Sequence, residues 1–256
     1  MSAAFSVSAA ALLALTACGN DATLPPTSTI TVYESPTSAA GSEQASEPTN
    51  EPGPTAAEGD DSRAPSDGTL LNRAYVLGDS LTFKAQEYMD QAMKDQGWTT
   101  NPATDSRIGR SVEEGLSLLA DEPDLPETVL VALGTNSWTA SASEAADWIR
   151  QTREIIGPNR RLIWVNVQMD GERFQTYLTV NMGLVAGAAS DNEAQSQAGA
   201  TGRTYIADWA QFSADQRIPH NHDGVHYKAG GYQQRMAFYA GILAQAPPYG
   251  NYIAEP

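Results

Sequence analysis

Ala74-Tyr75-Val76-Leu77-Gly78-Asp79-Ser80-Leu81-Thr82 is the stretch on which the fold turns. A short apolar run, Tyr75 to Leu77, stops at Gly78-Asp79-Ser80, and a helix-period stretch over 81–96 follows. This is the pattern of a strand that ends in a tight turn and opens into a helix. It recurs downstream. Apolar runs predict strands over 73–77, 99–103, 128–133, 161–167 and 204–207. Helical periodicity predicts helices over 81–96, 112–120, 143–156, 174–198 and 229–243. Strand and helix alternating in this way read as an α/β fold, a parallel sheet with helices on both faces. Val129-Leu130-Val131-Ala132-Leu133 and Leu162-Ile163-Trp164-Val165 are apolar on both faces, as central parallel strands are.

The turn at Ser80 has two readings. Asp and Ser are favoured helix caps, so Gly-Asp-Ser alone is ordinary turn chemistry. The functional reading is that the turn exposes the Ser80 hydroxyl where a helix N-terminus supplies N–H donors and the positive dipole end. A serine hydroxyl is a poor nucleophile by itself and needs both a base and an anion site.

The chain has 256 residues and a formal net charge of -16, with 41% hydrophobic residues. That acidity argues against a nucleic-acid partner, because a phosphate backbone needs a basic face. The one cysteine, Cys18, excludes an internal disulfide. It follows the apolar run Ala9 to Leu15 in Leu15-Thr16-Ala17-Cys18-Gly19. Such a run is too short to span a bilayer and fits the h-region of a signal peptide. Leu-x-x-Cys-Gly resembles a bacterial lipobox, in which the cysteine is lipidated and becomes the mature N-terminus. Met1 to Ser8 carry no Lys or Arg, a departure that fits a misassigned start codon. The alternative is a short buried helix with an inert thiol.

Residues 1–18 therefore read as a lipoprotein signal and 19–68 as a disordered acidic tether rich in Pro, Ser and Thr. In this tract only Ile30-Thr31-Val32-Tyr33 is apolar, and Arg63 is its single base. Such composition buries too little apolar surface to offset its ordering entropy. Residues 69–250 form the predicted folded domain and 251–256 a tail. The expected location is extracytoplasmic, anchored by lipid to the outer face of the cytoplasmic membrane.

Each informative motif falls after a predicted strand: Gly78-Asp79-Ser80, Asp105-Ser106-Arg107-Ile108-Gly109-Arg110, Gly134-Thr135-Asn136 and Asp223-Gly224-Val225-His226. Sites in parallel α/β sheets form beyond the strand C-termini. These four blocks, in this order, resemble the SGNH (GDSL-type) hydrolases. The resemblance implies a flavodoxin-like three-layer α/β/α sandwich with a five-stranded parallel sheet. It also implies esterase, lipase, deacetylase or acyltransferase chemistry without a cofactor. Carried over residue by residue, Ser80 is the nucleophile, His226 the general base and Asp223 the group that orients it. The amides of Ser80 and Gly109 and the Asn136 side chain make the oxyanion hole.

The residue chemistry agrees with those roles. Acyl transfer needs a hydroxyl within reach of an imidazole whose other nitrogen is held by a carboxylate. Asp-x-x-His lets one loop carry both groups. Gly109 has no Cβ, so its amide approaches a ligand closely. Asn136 donates without carrying charge. Singly, the blander readings stand: Gly109 as a turn glycine, Gly134-Thr135-Asn136 as a strand-to-helix turn, His226 as a helix cap. His220, His222, Asp223 and His226 also permit a zinc reading, although no His lies upstream to complete a catalytic set. Gly-x-Ser-x-Gly does not occur, which disfavours an α/β-hydrolase.

Asp105 to Arg110, Ala207-Asp208-Trp209 and Asp223-Gly224-Val225-His226-Tyr227 with Gly230-Gly231 look most like the extracytoplasmic SGNH domains of peptidoglycan O-acetyltransferases. The chain has no run of about 20 apolar residues, so an acyl donor passed through a membrane requires a separate membrane acyltransferase as partner. Candidate substrate contacts are Trp138, Asp79, Trp209 and Tyr227, with Met169 and Phe174 as further pocket walls and Asn181 and Gly183 bordering the cleft. The expected substrate is an acylated envelope carbohydrate or glycolipid. The rival readings are an O-acyltransferase with the same triad and a non-catalytic envelope-binding lipoprotein.

Overall fold

The structure, a computed structural model, describes residues 30–31, 74–168 and 174–244. Strands are β1 Ile30–Thr31, β2 Ala74–Gly78, β3 Ala103–Ser106, β4 Thr128–Ala132, β5 Arg161–Val165 and β6 Thr204–Ala207. Helices are α1 Ser80–Ala85, α2 Met89–Asp95, α3 Val112–Ala120, α4 Ala142–Ile156, α5 Phe174–Gln197, α6 Trp209–Asp215 and α7 Ala229–Ala244. Among the described residues five strands run parallel in the order β3-β2-β4-β5-β6, and β1 adds antiparallel at the β6 edge.

The three layers follow from strand alternation. Val76, Leu130, Ile163 and Ala207 point to the face covered by α1, α2 and α7, whose Leu81, Met93 and Phe238 share their core. Tyr75, Leu77, Val131 and Trp164 point to the opposite face, against Leu116 of α3, Trp148 of α4 and Leu184 of α5. At about 1.5–3 kcal/mol for each large side chain fully buried, these two cores dominate the stability.

The predicted elements are found, with four differences. The predicted helix over 81–96 is divided by a 3-10 turn at Gln86–Tyr88. That turn buries no residue, whereas α1 and α2 on either side do. The second parallel strand begins at Ala103 rather than at residue 99. Pro102 cannot donate to a ladder, and an edge strand needs no apolar run, so Thr104-Asp105-Ser106 serves. The short helix α6, which Asp208 caps through the Gln211 N–H, had no apolar stripe to announce it. Within the predicted tether, Ile30–Thr31 pairs with Ala207 and Ile206 of β6. The rest of that tract and Cys18 lie outside the described residues. Among the described residues no helix is long and apolar enough to cross a membrane.

Candidate active site

Strand register brings the motifs to one edge. Gly78 lies opposite Ser106 of β3 and Ala132 of β4, so the turn at Ser80 and the loops that follow β3 and β4 leave the sheet together. A cleft lined by Ala74, Pro102, Ala103, Glu122 and Asp124 belongs to the amino ends of the strands, the opposite edge.

Ser80 opens α1, capped by Asp79, whose carboxylate accepts the Leu81 N–H at 2.9 Å. A Cβ on Gly78 would stand 2.3 Å from Thr82, so the turn closes this tightly only around glycine. Ser80 Oγ lies 3.1 Å from His226 Nε2, and His226 Nδ1 lies 2.8 Å from Asp223 Oδ2. The second Asp223 oxygen accepts the Val225 and His226 N–H groups, each at 2.9 Å. A carboxylate only accepts, so Nδ1 donates to Asp223 and leaves the Nε2 lone pair facing the serine hydroxyl. Partial desolvation pushes the Asp223 carboxyl up. The Val225 N–H, the His226 ring, the His226 N–H and the imidazole charge outweigh it and hold the carboxyl well below the usual carboxylate range.

The two other oxyanion candidates are exposed on neighbouring loops. Gly109 has φ +76°, and no heavy atom stands within 4 Å of where a Cβ would sit. Its left-handed backbone is by itself a reason for glycine at this position. Asn136 Nδ2 donates to the Arg110 carbonyl at 3.0 Å, which engages one of the two amide hydrogens and leaves the other to point elsewhere.

Arg110 itself had no role in the sequence reading. It is 3% exposed, and its guanidinium donates to the Gly78 carbonyl at 3.2 Å, the Asp105 carbonyl at 2.8 Å and the Asp105 carboxylate at 2.7 Å. One buried side chain thus fastens the end of β2 to the loop after β3, and Asn136 fastens the loop after β4 to its backbone. Nothing in the sequence distinguished this arginine from a solvated one, because two of its three acceptors are main-chain oxygens.

Of the candidate substrate contacts, Trp138 is exposed. Asp79, Trp209 and Tyr227 are at most 1% exposed and belong to the core. Asp79 Oδ1 is engaged by its helix cap while Oδ2 is buried without a hydrogen-bond partner among the described residues, and Trp209 donates to the Tyr227 hydroxyl at 2.6 Å. Gly183 packs on Ala142 and Ala145 of α4, and Asn181 exchanges two hydrogen bonds with the Val167 backbone, so both hold the fold. Met169 and the Phe174 side chain lie outside the described residues. His220 packs its ring on Tyr227, and His222 is exposed. Among the described residues no three His, Cys, Asp or Glu side chains converge as a metal site requires.

No protein-family model matches the chain, and no curated protein matches it. Among solved structures, the lipase/acylhydrolase from Enterococcus faecalis aligns with 17% identity and a TM-score of 0.51, covering 68% of this chain and 95% of that one. The C-terminal catalytic domain of Streptococcus pneumoniae peptidoglycan O-acetyltransferase A aligns with 19% identity and a TM-score of 0.49, covering 68% and 91%. A member of the lipolytic G-D-S-L family from Veillonella parvula aligns with 17% identity and a TM-score of 0.48, covering 66% and 96%. The fold is that of the Enterococcus faecalis acylhydrolase, a five-stranded parallel sheet with helices on both sides.

Proposed function

We propose that the chain is a serine esterase that removes short acyl groups, acetyl foremost, from an envelope glycan or glycolipid. The observation that carries this reading is the continuous hydrogen-bonded line from Ser80 Oγ through His226 to Asp223, at 3.1 and 2.8 Å. Ser80 Oγ attacks the ester carbonyl while its proton passes to His226 Nε2. The carbonyl oxygen becomes an oxyanion held by the Ser80 and Gly109 amides and the free hydrogen of the Asn136 amide. Collapse of the intermediate expels the alcohol, which takes the proton from His226. Water, deprotonated by the same imidazole, then releases the acid and restores Ser80. The base must be neutral, so the rate falls on acidification.

The Cys18 lipobox supports an anchor on the outer face of the cytoplasmic membrane, with residues 19–68 as the spacer. An acceptor hydroxyl in place of water makes the same site an O-acyltransferase. The Asp105 to Arg110 block and the Ala207-Asp208-Trp209 block favour that second reading, with a separate membrane protein supplying the acyl group.

Hydrolysis of nitrophenyl acetate by the purified chain, with Ser80→Ala and His226→Ala as controls, is the direct test. Wild-type-like turnover in either variant ends the esterase reading. Incubation with an acetyl donor and a glycan acceptor separates the two fates of the acyl group. Acetylated glycan in excess of free acetate favours transfer. A wild-type chain that neither turns over esters nor labels at Ser80 with a fluorophosphonate is a binding protein instead.

A further inference from the structure

A buried polar cluster adjoins Ser80 and His226 and takes no part in the steps above. Its centre is Arg235 of α7, 3% exposed. The guanidinium lies over the Trp209 ring at 5.0 Å and the Tyr239 ring at 5.2 Å. Its Nη1 donates to the Tyr227 hydroxyl at 3.4 Å, the same oxygen that accepts the Trp209 indole N–H at 2.6 Å. The Tyr239 hydroxyl lies 3.1 Å from Thr82 Oγ1.

The two ends of this cluster matter most. Tyr227 directly follows His226, and Thr82 lies one residue beyond Leu81 in the helix that Ser80 opens. The cap of that helix is involved as well. Burial pushes the Asp79 carboxyl up, and the Arg235 charge is the leading influence that opposes it, followed by the Leu81 N–H. Arg235 thus acts on both sides of the Ser80–His226 contact, which joins positions 146 residues apart in sequence. A buried guanidinium is costly compared with an apolar side chain of similar size. Arg235 Nε is buried without a hydrogen-bond partner among the described residues, so the cost is offset by the Tyr227 hydroxyl and the two ring faces, contacts that one packing of α7 provides.

We propose that Arg235 is a positioning residue: it ties the segment that carries Ser80 to the segment that carries His226 and sets the approach of Oγ to Nε2. The proposal rests on the esterase reading, and its test separates the two.

Wild type, Arg235→Met, Arg235→Lys and Tyr227→Phe are titrated with a fluorophosphonate to count competent serines, and kcat and KM on nitrophenyl acetate are expressed per titrated site. Misplacement of a reacting group by an ångström costs about 100-fold. Arg235→Met should therefore lose about that factor in kcat per site with KM little changed. Arg235→Lys keeps the charge near Asp79 and should recover part of the loss. Tyr227→Phe removes the hydroxyl that accepts from both Trp209 and Arg235 and leaves the ring packing; cutting its tie to Arg235 should lose about fivefold in kcat, the worth of that hydrogen bond.

A merely structural Arg235 would lower the melting temperature and the number of titratable sites but leave kcat per site at the wild-type value. That result overturns the proposal. Should Arg235→Met fail to fold, Tyr227→Phe decides, and an unchanged kcat per site in it is equally fatal. Wild type without labelling or turnover overturns the esterase reading and this proposal together, whereas active wild type with unaffected variants overturns the positioning role alone.

Discussion

Replacing Asp223 by Asn tests the geometry at a single atom. Asp223 uses its two oxygens differently: one accepts the Val225 and His226 N–H groups at 2.9 Å each, and the other faces His226 Nδ1 at 2.8 Å. An asparagine has one oxygen and one NH2. Its oxygen belongs with the two backbone donors, because the NH2 placed there would face two N–H groups at once. That leaves the NH2 against Nδ1, which must then accept. The imidazole proton moves to Nε2, the atom 3.1 Å from Ser80 Oγ, and no lone pair remains to take the serine proton. The loop keeps its shape and the base is lost. The corresponding change in a Ser-His-Asp triad lowers kcat by about 10,000-fold, or about 5.4 kcal/mol of barrier. The assay is nitrophenyl acetate hydrolysis per active site, with circular dichroism and thermal melting confirming that the loop and domain persist. A kcat within tenfold of wild type would show that Asp223 does not set the tautomer and would refute the assignment.

Asn136→Ala removes an oxyanion donor together with the tie to the Arg110 carbonyl; kcat should fall by about 100- to 1,000-fold with KM changing far less. Arg110→Met removes the guanidinium from the Asp105 carbonyl and carboxylate and leaves the Gly78 carbonyl only the Arg107 N–H; a buried acceptor that loses its donor costs about 1–3 kcal/mol, read as a lowered urea midpoint. Gly109→Ala places a Cβ at φ +76°; the strain of about 1–2 kcal/mol should slow turnover without unfolding the domain, and full activity would mean that this amide holds no oxyanion. The Asp223 carboxyl is held below its ordinary value, so its stabilisation is complete above about pH 4 and drains away as pH falls through the native value. Its side chain is 43% exposed, which keeps that contribution small. The gap in melting temperature between wild type and Asp223→Asn should therefore narrow on acidification, and a gap that widens would contradict the sign of the shift.

How much of this was legible in the sequence depended on whether the physical signal was local. Central strands announce themselves because both faces are buried: Val129 to Leu133 and Leu162 to Val165 have no polar interruption and are nowhere more than 1–2% exposed. The edge strand β3 carries Thr104, Asp105 and Ser106, so its register could not be read from apolar alternation. The motif residues were visible because each follows a strand end, where the chain must turn and where Gly, Asp, Ser and Asn are both turn formers and reagents. Position beside a motif did not decide the role of Asp79, Trp209 and Tyr227, which are buried. An aromatic beside a motif reads as a pocket wall, yet Trp209 and Tyr227 satisfy each other's polar atoms and so can be buried whole.

Two arginines mark the limit more sharply. Arg110 and Arg235 look in sequence like solvated charges, and both are 3% exposed. Their partners are two main-chain carbonyls and the Asp105 carboxylate for one, and aromatic faces with a tyrosine hydroxyl for the other. Neither kind of partner leaves a spacing rule behind. The contrast with Asp223 explains why. Asp223 and His226 sit in one turn, so their 2.8 Å contact is written into Asp-x-x-His and survives any shift of the loop as a whole. The 3.1 Å contact between Ser80 and His226 is fixed only by how α1 and α7 pack on the sheet. Substitutions at Asp223 should therefore change the chemistry of the imidazole while leaving its position alone, and substitutions at Arg235 should do the reverse. In pH profiles the first alters the ionisation that limits the rate, and the second lowers the plateau with the limb unmoved.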